Sequence, residues 1–94
     1  MSVRLLTALF PNTEGMLTHL LHFEATDSAA ALEVLETREL VDQWVVFHFP
    51  DTYEARKPKP ILYGRMWAFR ERGIDAMVRQ LQSGRYVLVA RRFA

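Results

Sequence analysis

Three histidines and one glutamate are the side chains of this chain best suited to acid–base or metal chemistry near neutral pH. His19, His22 and Glu24 lie close together, and His48 lies in a second apolar segment. Side chains alternate along a strand, so His22 and Glu24 share one face, and His48 joins them if its own strand keeps the same alternation. Such a cluster can support a metal ion or a general base, but its ligand count is short and no further carboxylate clearly converges on it. We interpret these histidines as sheet residues and expect no catalytic, metal or cofactor-binding residue.

The sequence carries no other signature of a catalytic family. It contains no cysteine, which excludes thiolate catalysis, disulfide bonds and cysteine zinc sites. Its glycines are isolated, so there is no glycine-rich loop for a phosphate, and its serines have no nucleophile-elbow context. We therefore expect no cofactor and a protein that is not an enzyme.

Length and composition indicate one globular domain over residues 1–94. Half of the residues are hydrophobic and 24% are charged, which is the ordinary mixture of a folded protein. The apolar run in residues 1–10 is too short to span a membrane, and no small-residue cleavage site follows it. We expect a cytoplasmic protein without a membrane partner.

Charge is unevenly distributed along the chain. Residues 1–49 contain two basic and seven acidic residues, a net charge of −5, whereas residues 50–94 contain ten basic and four acidic residues, a net charge of +6. Such asymmetry fits an anion-binding face, polar self-association, or two complementary halves of one domain.

The periodicity of apolar residues predicts two strands and two helices. Residues 41–49 and 86–93 are rich in β-branched and aromatic residues and are bounded by turn residues, which is typical of strands. Residues 29–39 fit a helix capped by Asp27 or Ser28. Residues 74–82 also have helical spacing, and Gly84 stands where a glycine commonly follows a helix.

Residues 17–25 and 61–72 fit either a strand or a helix. If both are strands, a β-α-β unit occurs twice, which is the β-α-β-β-α-β order of a ferredoxin-like α+β domain with two helices on one face. Residues 2–10 then form an extra N-terminal strand, followed by a turn at residues 11–15. The alternative is a three-stranded sheet with four helices.

The sheet face opposite the predicted helices is too apolar to be left bare. It is expected to carry Leu20, His22, Glu24, Trp44, Val46, His48, Tyr86, Leu88 and Arg92. The third strand adds either Tyr63, Arg65, Trp67 and Phe69 or Met66, Arg70 and Arg72, because a one-residue slip in register exchanges the two sets. A second copy of the chain, a nucleic acid or a different protein can cover this face.

The segment 50–60 is expected to project as an extended basic loop, because prolines alternate with lysines in it. We hypothesise a small regulatory or inhibitory protein that binds another protein, or itself as a homodimer, through the sheet face or this loop. Aromatic and arginine side chains are common binding hot spots. The candidate partner-binding residues are Trp44, His48, Arg56, Lys57, Lys59, Tyr86 and Arg92.

Two other functions remain as alternatives. Aromatic residues beside arginines in residues 63–69 suggest binding of a single-stranded nucleic acid, although a net charge of +1 gives only a weak attraction for phosphates. The second alternative is a cofactor-independent enzyme formed as a dimeric α/β barrel, with His22 or His48 as the base.

Overall fold

The described residues form one mixed β-sheet of five strands and two α-helices. The computed structural model describes residues 3–6, 17, 19–53 and 56–94. In chain order the elements are β1 (Val3–Leu5), β2 (Leu21–Ala25), α1 (Ser28–Thr37), β3 (Trp44–His48), α2 (Pro60–Glu71), β4 (Asp75–Gln80) and β5 (Tyr86–Arg91). The strand order in the sheet is β1-β2-β3-β5-β4. Strands β2 and β3 are parallel, and the other three pairings are antiparallel.

Both helices pack on one face of the sheet, where the larger apolar core lies. Phe23 of β2 and Phe47 of β3 are paired in register, and their ring centroids are 6.1 Å apart. The ring of Phe69 from α2 meets Phe47 edge-on at 5.9 Å. These contacts place an aromatic cluster between the central strands and α2, and such ring pairs add to the stabilisation from area burial alone.

Helix α1 begins at its predicted cap. The carboxylate of Asp27 accepts a hydrogen bond from the backbone N–H of Ala30 at 2.9 Å, which satisfies one of the free donors of the first turn. The buried side of the helix consists of Ala30, Ala31, Val34 and Leu35. The sequence prediction of a helix here is confirmed, and so are strands within residues 41–49 and 86–93. Residues 17–25, which fitted either a strand or a helix, contain the strand β2.

Helix α2 begins at Pro60, where a missing N–H costs no hydrogen bond, and buries Leu62, Met66 and Phe69 against the sheet. It ends before Gly73, whose φ of 77° suits glycine. The N–H groups of Gly73 and Ile74 bond to the carbonyls of Arg70 and Phe69, closing the last turn.

A buried arginine fastens α2 to the end of β3. Both terminal nitrogens of Arg65 donate to the carboxylate of Asp51 at 2.9 Å, and the guanidinium lies 4.3 Å from the ring centroid of Phe49. This bidentate hydrogen bonding lowers the pKa of Asp51 below its ordinary value. A weaker contact of 3.4 Å to the carbonyl of Thr26 extends the link to the start of α1.

The ferredoxin-like order is wrong, although the α+β class and two helices on one face are correct. The structure has a helix at residues 60–71 and a strand at residues 75–80, where that order required a strand and then a helix. Gly84 therefore lies in the turn between β4 and β5, with a φ of 92°, and not after a helix. The three-stranded alternative is also wrong, because the described part of the chain pairs five strands.

The extra N-terminal strand is present as β1, which pairs with β2 over Val3–Leu5. Residues 2 and 7–10 of that predicted strand, and the predicted turn at 11–15, lie outside the described residues. Within the described part of the chain, neither helix has the length and apolar character needed to cross a membrane.

Candidate protein-binding surface

The sheet face away from the helices carries two buried histidines in direct contact. Nδ1 of His22 lies 2.9 Å from Nε2 of His48, and both side chains are almost completely buried. Nε2 of His22 lies 2.7 Å from the carbonyl oxygen of Leu17, which can only accept. The sequence prediction that His22 and His48 share a face is therefore confirmed.

These contacts define where the protons lie in the neutral pair. His22 must carry its proton on Nε2 to donate to Leu17, so its Nδ1 is an acceptor. The N–H on Nε2 of His48 then donates to that nitrogen. Protonating either ring would place a positive charge beside another imidazole in a buried site.

Burial lowers the pKa of both histidines. The pKa of His48 falls to about 3, first because burial disfavours the charged ring and then because of repulsion from His22 and Arg85. Burial also lowers the pKa of His22, with a partly opposing effect from its hydrogen bond to Leu17. Both rings are therefore neutral at physiological pH.

A polar cluster borders the histidine pair at Glu24, whose Cα is in register with that of His48. Glu24 accepts hydrogen bonds from Arg4 at 3.1 Å and from the hydroxyl of Tyr53. Burial, together with the charge of Glu24, raises the pKa of Tyr53. The guanidinium of Arg85 lies 3.7 Å from the centroid of the Tyr53 ring. This cluster ties the segment after β3 to β2.

The predicted His22, Glu24 and His48 group does not converge on one point. The histidines bond to each other, whereas Glu24 bonds to Arg4 and Tyr53. Among the described residues, no group of three or more metal-ligating side chains is placed to hold a metal ion. The rings of His22 and His48 are buried, and the hydrogen bond between them joins β2 to β3.

The predicted open face of the sheet is closed at its centre. Val46, Val87 and Val89 are buried there in a second apolar cluster with Leu17 and Leu81. The prediction also combined residues of both faces, because Leu88 pairs with Phe47 and lies in the core on the helix side. Tyr86 packs against that core as well, so the expected register of β5 is wrong by one residue.

The largest exposed aromatic side chains lie on α2. Trp67 and Tyr63 are 56% and 44% exposed, and Ile61 in the first turn is 46% exposed. Tyr63, Trp67 and Arg70 follow one another at spacings of four and three, so they form one stripe along the helix. The guanidinium of Arg70 lies 5.1 Å from the Trp67 ring centroid.

Gly64 lies in this exposed side of α2, although the fold does not require a glycine there. A Cβ added at Gly64 would meet no atom within 4 Å, and the residue is not among those with positive φ. An exposed glycine inside a helix costs about 1 kcal/mol relative to alanine. We call Tyr63, Gly64, Trp67 and Arg70 the α2 surface.

The extended loop predicted over residues 50–60 is shorter in the structure, because Pro50–Thr52 form a 3-10 helix and Pro60 begins α2. The side chains of Arg56, Lys57 and Lys59 between them are exposed. We call these three residues the basic segment. The hydroxyl of Tyr86 donates to the carbonyl of Arg56 at 3.4 Å, and Lys59 donates to the carbonyl of Asp51 at 2.6 Å. The structure thus brings Tyr86 to the basic segment.

The other candidate residues lie apart. Trp44 is half-buried on the helix-free side of the sheet, where the guanidinium of Arg91 lies 4.9 Å from its ring centroid. His48 is fully buried. Arg92 lies on the helix side and donates to the carbonyl of Leu35 at 3.1 Å. Arg92 also lines a shallow pocket between α1 and the end of α2, together with Leu32, Glu36, Arg72 and Ile74.

The comparisons with known proteins add no family or function. No protein-family model matches the chain. No match was found among curated proteins or among solved structures. The inference of function therefore depends on the residues and geometry described above.

Residues 61–72 fitted either a strand or a helix, and sequence reasoning missed the α2 surface because the favoured ferredoxin-like fold made them a strand. Leu62, Met66 and Phe69 are spaced by four and three, which is the helical signal that places Trp67 and Tyr63 on the outside. On a strand, the same residues would alternate between the two faces, and the stripe would not form.

Proposed function

We propose that this chain is a non-enzymatic protein-binding module, of the regulatory or inhibitory kind, and that its contact surface is the α2 surface with the adjoining basic segment. The observation that carries the proposal is the exposure of Trp67 and Tyr63 around a glycine that folding does not require. Tryptophan, tyrosine and arginine are the side chains most enriched at binding hot spots.

The composition of this surface favours a protein over a nucleic acid. Arg70 already lies over the Trp67 ring, so one face of the indole is occupied by a cation and not available to a base. Gly64 allows the backbone of a partner to approach α2 closely, which is how helices pack against small residues. The basic segment adds positive charge, which speeds encounter with an acidic protein.

Site-specific photo-crosslinking in cells that express the chain tests this proposal. A photoreactive phenylalanine analogue replaces Tyr63 in one variant and Gln82, an exposed residue of the β4–β5 turn, in a control. We expect a discrete protein adduct from position 63 and none from position 82. No adduct, or the same adducts from both positions, would contradict the proposal. An adduct that nuclease removes would support nucleic-acid binding in its place.

The two tryptophans provide a matched pair of substitutions, since they lie on different sides of the molecule. Trp67→Ala should weaken binding of the crosslinked partner by more than about 1 kcal/mol, or about fivefold. Trp44→Ala, on the helix-free side, should leave binding unchanged. If only Trp44→Ala weakens binding, the contact surface is on the sheet side and the assignment to α2 is wrong.

A further inference from the structure

The exposed side of α1 carries a group of acidic residues. Glu33 and Glu36 are exposed on the helix, and Glu39 follows it. Among the described residues, none of these three carboxylates lies within ion-pair distance of a basic group. We call Glu33, Glu36 and Glu39 the acidic side of α1.

Basic residues flank α2 in the same way. Lys57 precedes the helix and Arg72 follows it, and both are exposed. In the described part of the chain, neither forms an ion pair. Arg72 and Glu36 even line the same shallow pocket without pairing. Glu33, Glu36, Arg38 and Glu39 are exposed on or beside α1 and sum to a charge of −2, whereas Lys57, Arg70, Glu71 and Arg72 are exposed on or beside α2 and sum to +2.

The topology makes these two helix surfaces complementary between two copies. Each helix connects parallel strands of the sheet: α1 joins β2 to β3, and α2 joins β3 to β4. Both lie on the same face, so they run in the same direction and side by side. A two-fold axis parallel to the helices places α1 of each copy on α2 of the other and closes the assembly as a dimer.

We infer that the partner of the α2 surface is a second copy of this chain, bound helix layer to helix layer, with the acidic side of α1 facing the basic residues at the C-terminal end of α2. This inference rests on the proposed function and names its partner. The pairing buries Trp67 and Tyr63, and Gly64 lets α1 of the partner approach closely. Because the facing helices run in the same direction, the acidic side of α1 lies opposite the C-terminal end of α2, where Arg70 and Arg72 are exposed. This charge complementarity favours the pairing over like helix on like helix.

A charge-exchange experiment on the purified protein tests the dimer. One variant carries Glu33→Lys and Glu36→Lys, so both of its helices are basic. A second carries Arg70→Glu and Arg72→Glu, so the facing ends of both of its helices are acidic. Solution mass is measured by size-exclusion chromatography with light scattering for each variant, for the wild type and for an equimolar mixture of the variants.

We expect the wild type to be a dimer, each variant to have a dissociation constant at least tenfold higher, and the mixture to restore dimers that contain one chain of each kind. A wild type that remains monomeric at high concentration would overturn the inference. Variants that dimerise as well as the wild type, or a mixture that stays monomeric, would also overturn it.

A second substitution keeps the test valid if a charge variant does not fold, as judged by circular dichroism. Trp67→Ala changes an exposed side chain, so it should fold normally and raise the dissociation constant of the dimer at least tenfold. Equal dimer affinity for folded Trp67→Ala and wild type would place the interface elsewhere and contradict the inference.

Failure of this inference differs from failure of the proposed function. A monomeric chain that crosslinks through position 63 to a different protein retains the function and loses the dimer. A monomeric chain that gives no specific adduct loses both. An adduct of two chains, at twice 11.0 kDa, agrees with both.

Discussion

The helix-free face of the sheet and the outer side of α2 contrast in what they bury. The first buries two histidines, which are among its most polar residues, while the second leaves a tryptophan and a tyrosine in solvent. The histidines tolerate burial because His22 and His48 bond to each other and to the carbonyl of Leu17. The aromatic residues of α2 are exposed because Leu62, Met66 and Phe69 already fill the other side of that helix.

This contrast separates residues that hold the fold from residues that are available to a partner. Polarity alone would have assigned the histidines to function and the aromatic residues to the core. The burial of the histidines and their hydrogen bonds to each other and to Leu17 favour a structural role instead, because a buried neutral histidine with internal partners contributes to stability. An exposed indole beside an arginine contributes little to stability, and it belongs to the residue types that are common at binding hot spots.

The two sides of α2 provide the test with the largest expected effect. Phe69→Ala removes a fully buried ring and should lower the free energy of unfolding by about 3–5 kcal/mol. Trp67→Ala removes a more exposed ring two residues away and should change it by no more than about 0.5 kcal/mol in the monomer. Urea denaturation at low protein concentration measures both values.

A loss of stability in Trp67→Ala comparable to that in Phe69→Ala would break the comparison. It would mean that the indole packs within its own chain and is not free for a partner. The midpoint and the slope should both be compared, since a changed slope would indicate a change in compactness in place of a simple loss of stability.

The pH dependence of stability tests the role of the histidine pair on the helix-free face of the sheet. The pKa of His48 is about 3 in the folded protein against an ordinary value of 6.5, so the unfolded chain binds more protons below pH 6.5. The contribution of neutral His48 to the free energy of unfolding is therefore complete above about pH 6.5, and it is lost as the pH falls below that value. Each pKa unit corresponds to about 1.4 kcal/mol. His48 alone should therefore lower the free energy of unfolding by about 2 kcal/mol between pH 7 and pH 5.

The variant His48→Gln serves as the control for this slope. Glutamine keeps a donor directed at Nδ1 of His22 but removes one titrating group, so stability should depend less steeply on pH between 7 and 5. Urea denaturation at each pH measures the slope. A wild-type protein whose stability stays constant over this interval would show that the histidines are not held neutral by burial.

The sequence was sufficient to predict the elements whose signals are local. The cap of α1 at Asp27 and the apolar segments that become β3 and β5 could be recognised from residue type and spacing. The shared face of His22 and His48 followed from alternation alone. What connects these elements in space, including the register of β5, depends on pairings between distant residues and could not be read locally.

In the second half of the chain, the favoured fold had a strand where α2 lies and a helix where β4 lies. Each of these two errors has a physical cause. Strand β4 is apolar on both faces: Val78 packs on the helix side and Met77 on the other, so the strand lacks a simple alternation. Helix α2 carries apolar residues on its exposed side as well, which weakens its amphipathic pattern. Trp67 and Tyr63, the apolar residues that weaken this pattern, are also the residues proposed to bind a partner. A mismatch between local sequence pattern and structure is expected at functional sites.

The smallest predicted effect concerns Gly64 and has opposite signs for folding and binding. Gly64→Ala should stabilise the monomer by about 0.5–1 kcal/mol, because alanine favours a helix and its Cβ meets no atom within 4 Å. The same methyl group would lie between two closely approaching helices in a dimer and should weaken association. Denaturation of dilute protein measures the first effect, and light scattering over a concentration series measures the second. A variant that gains stability and dimerises as well as the wild type would show that Gly64 is not at the point of closest approach, since the methyl group would then have cost the interface nothing.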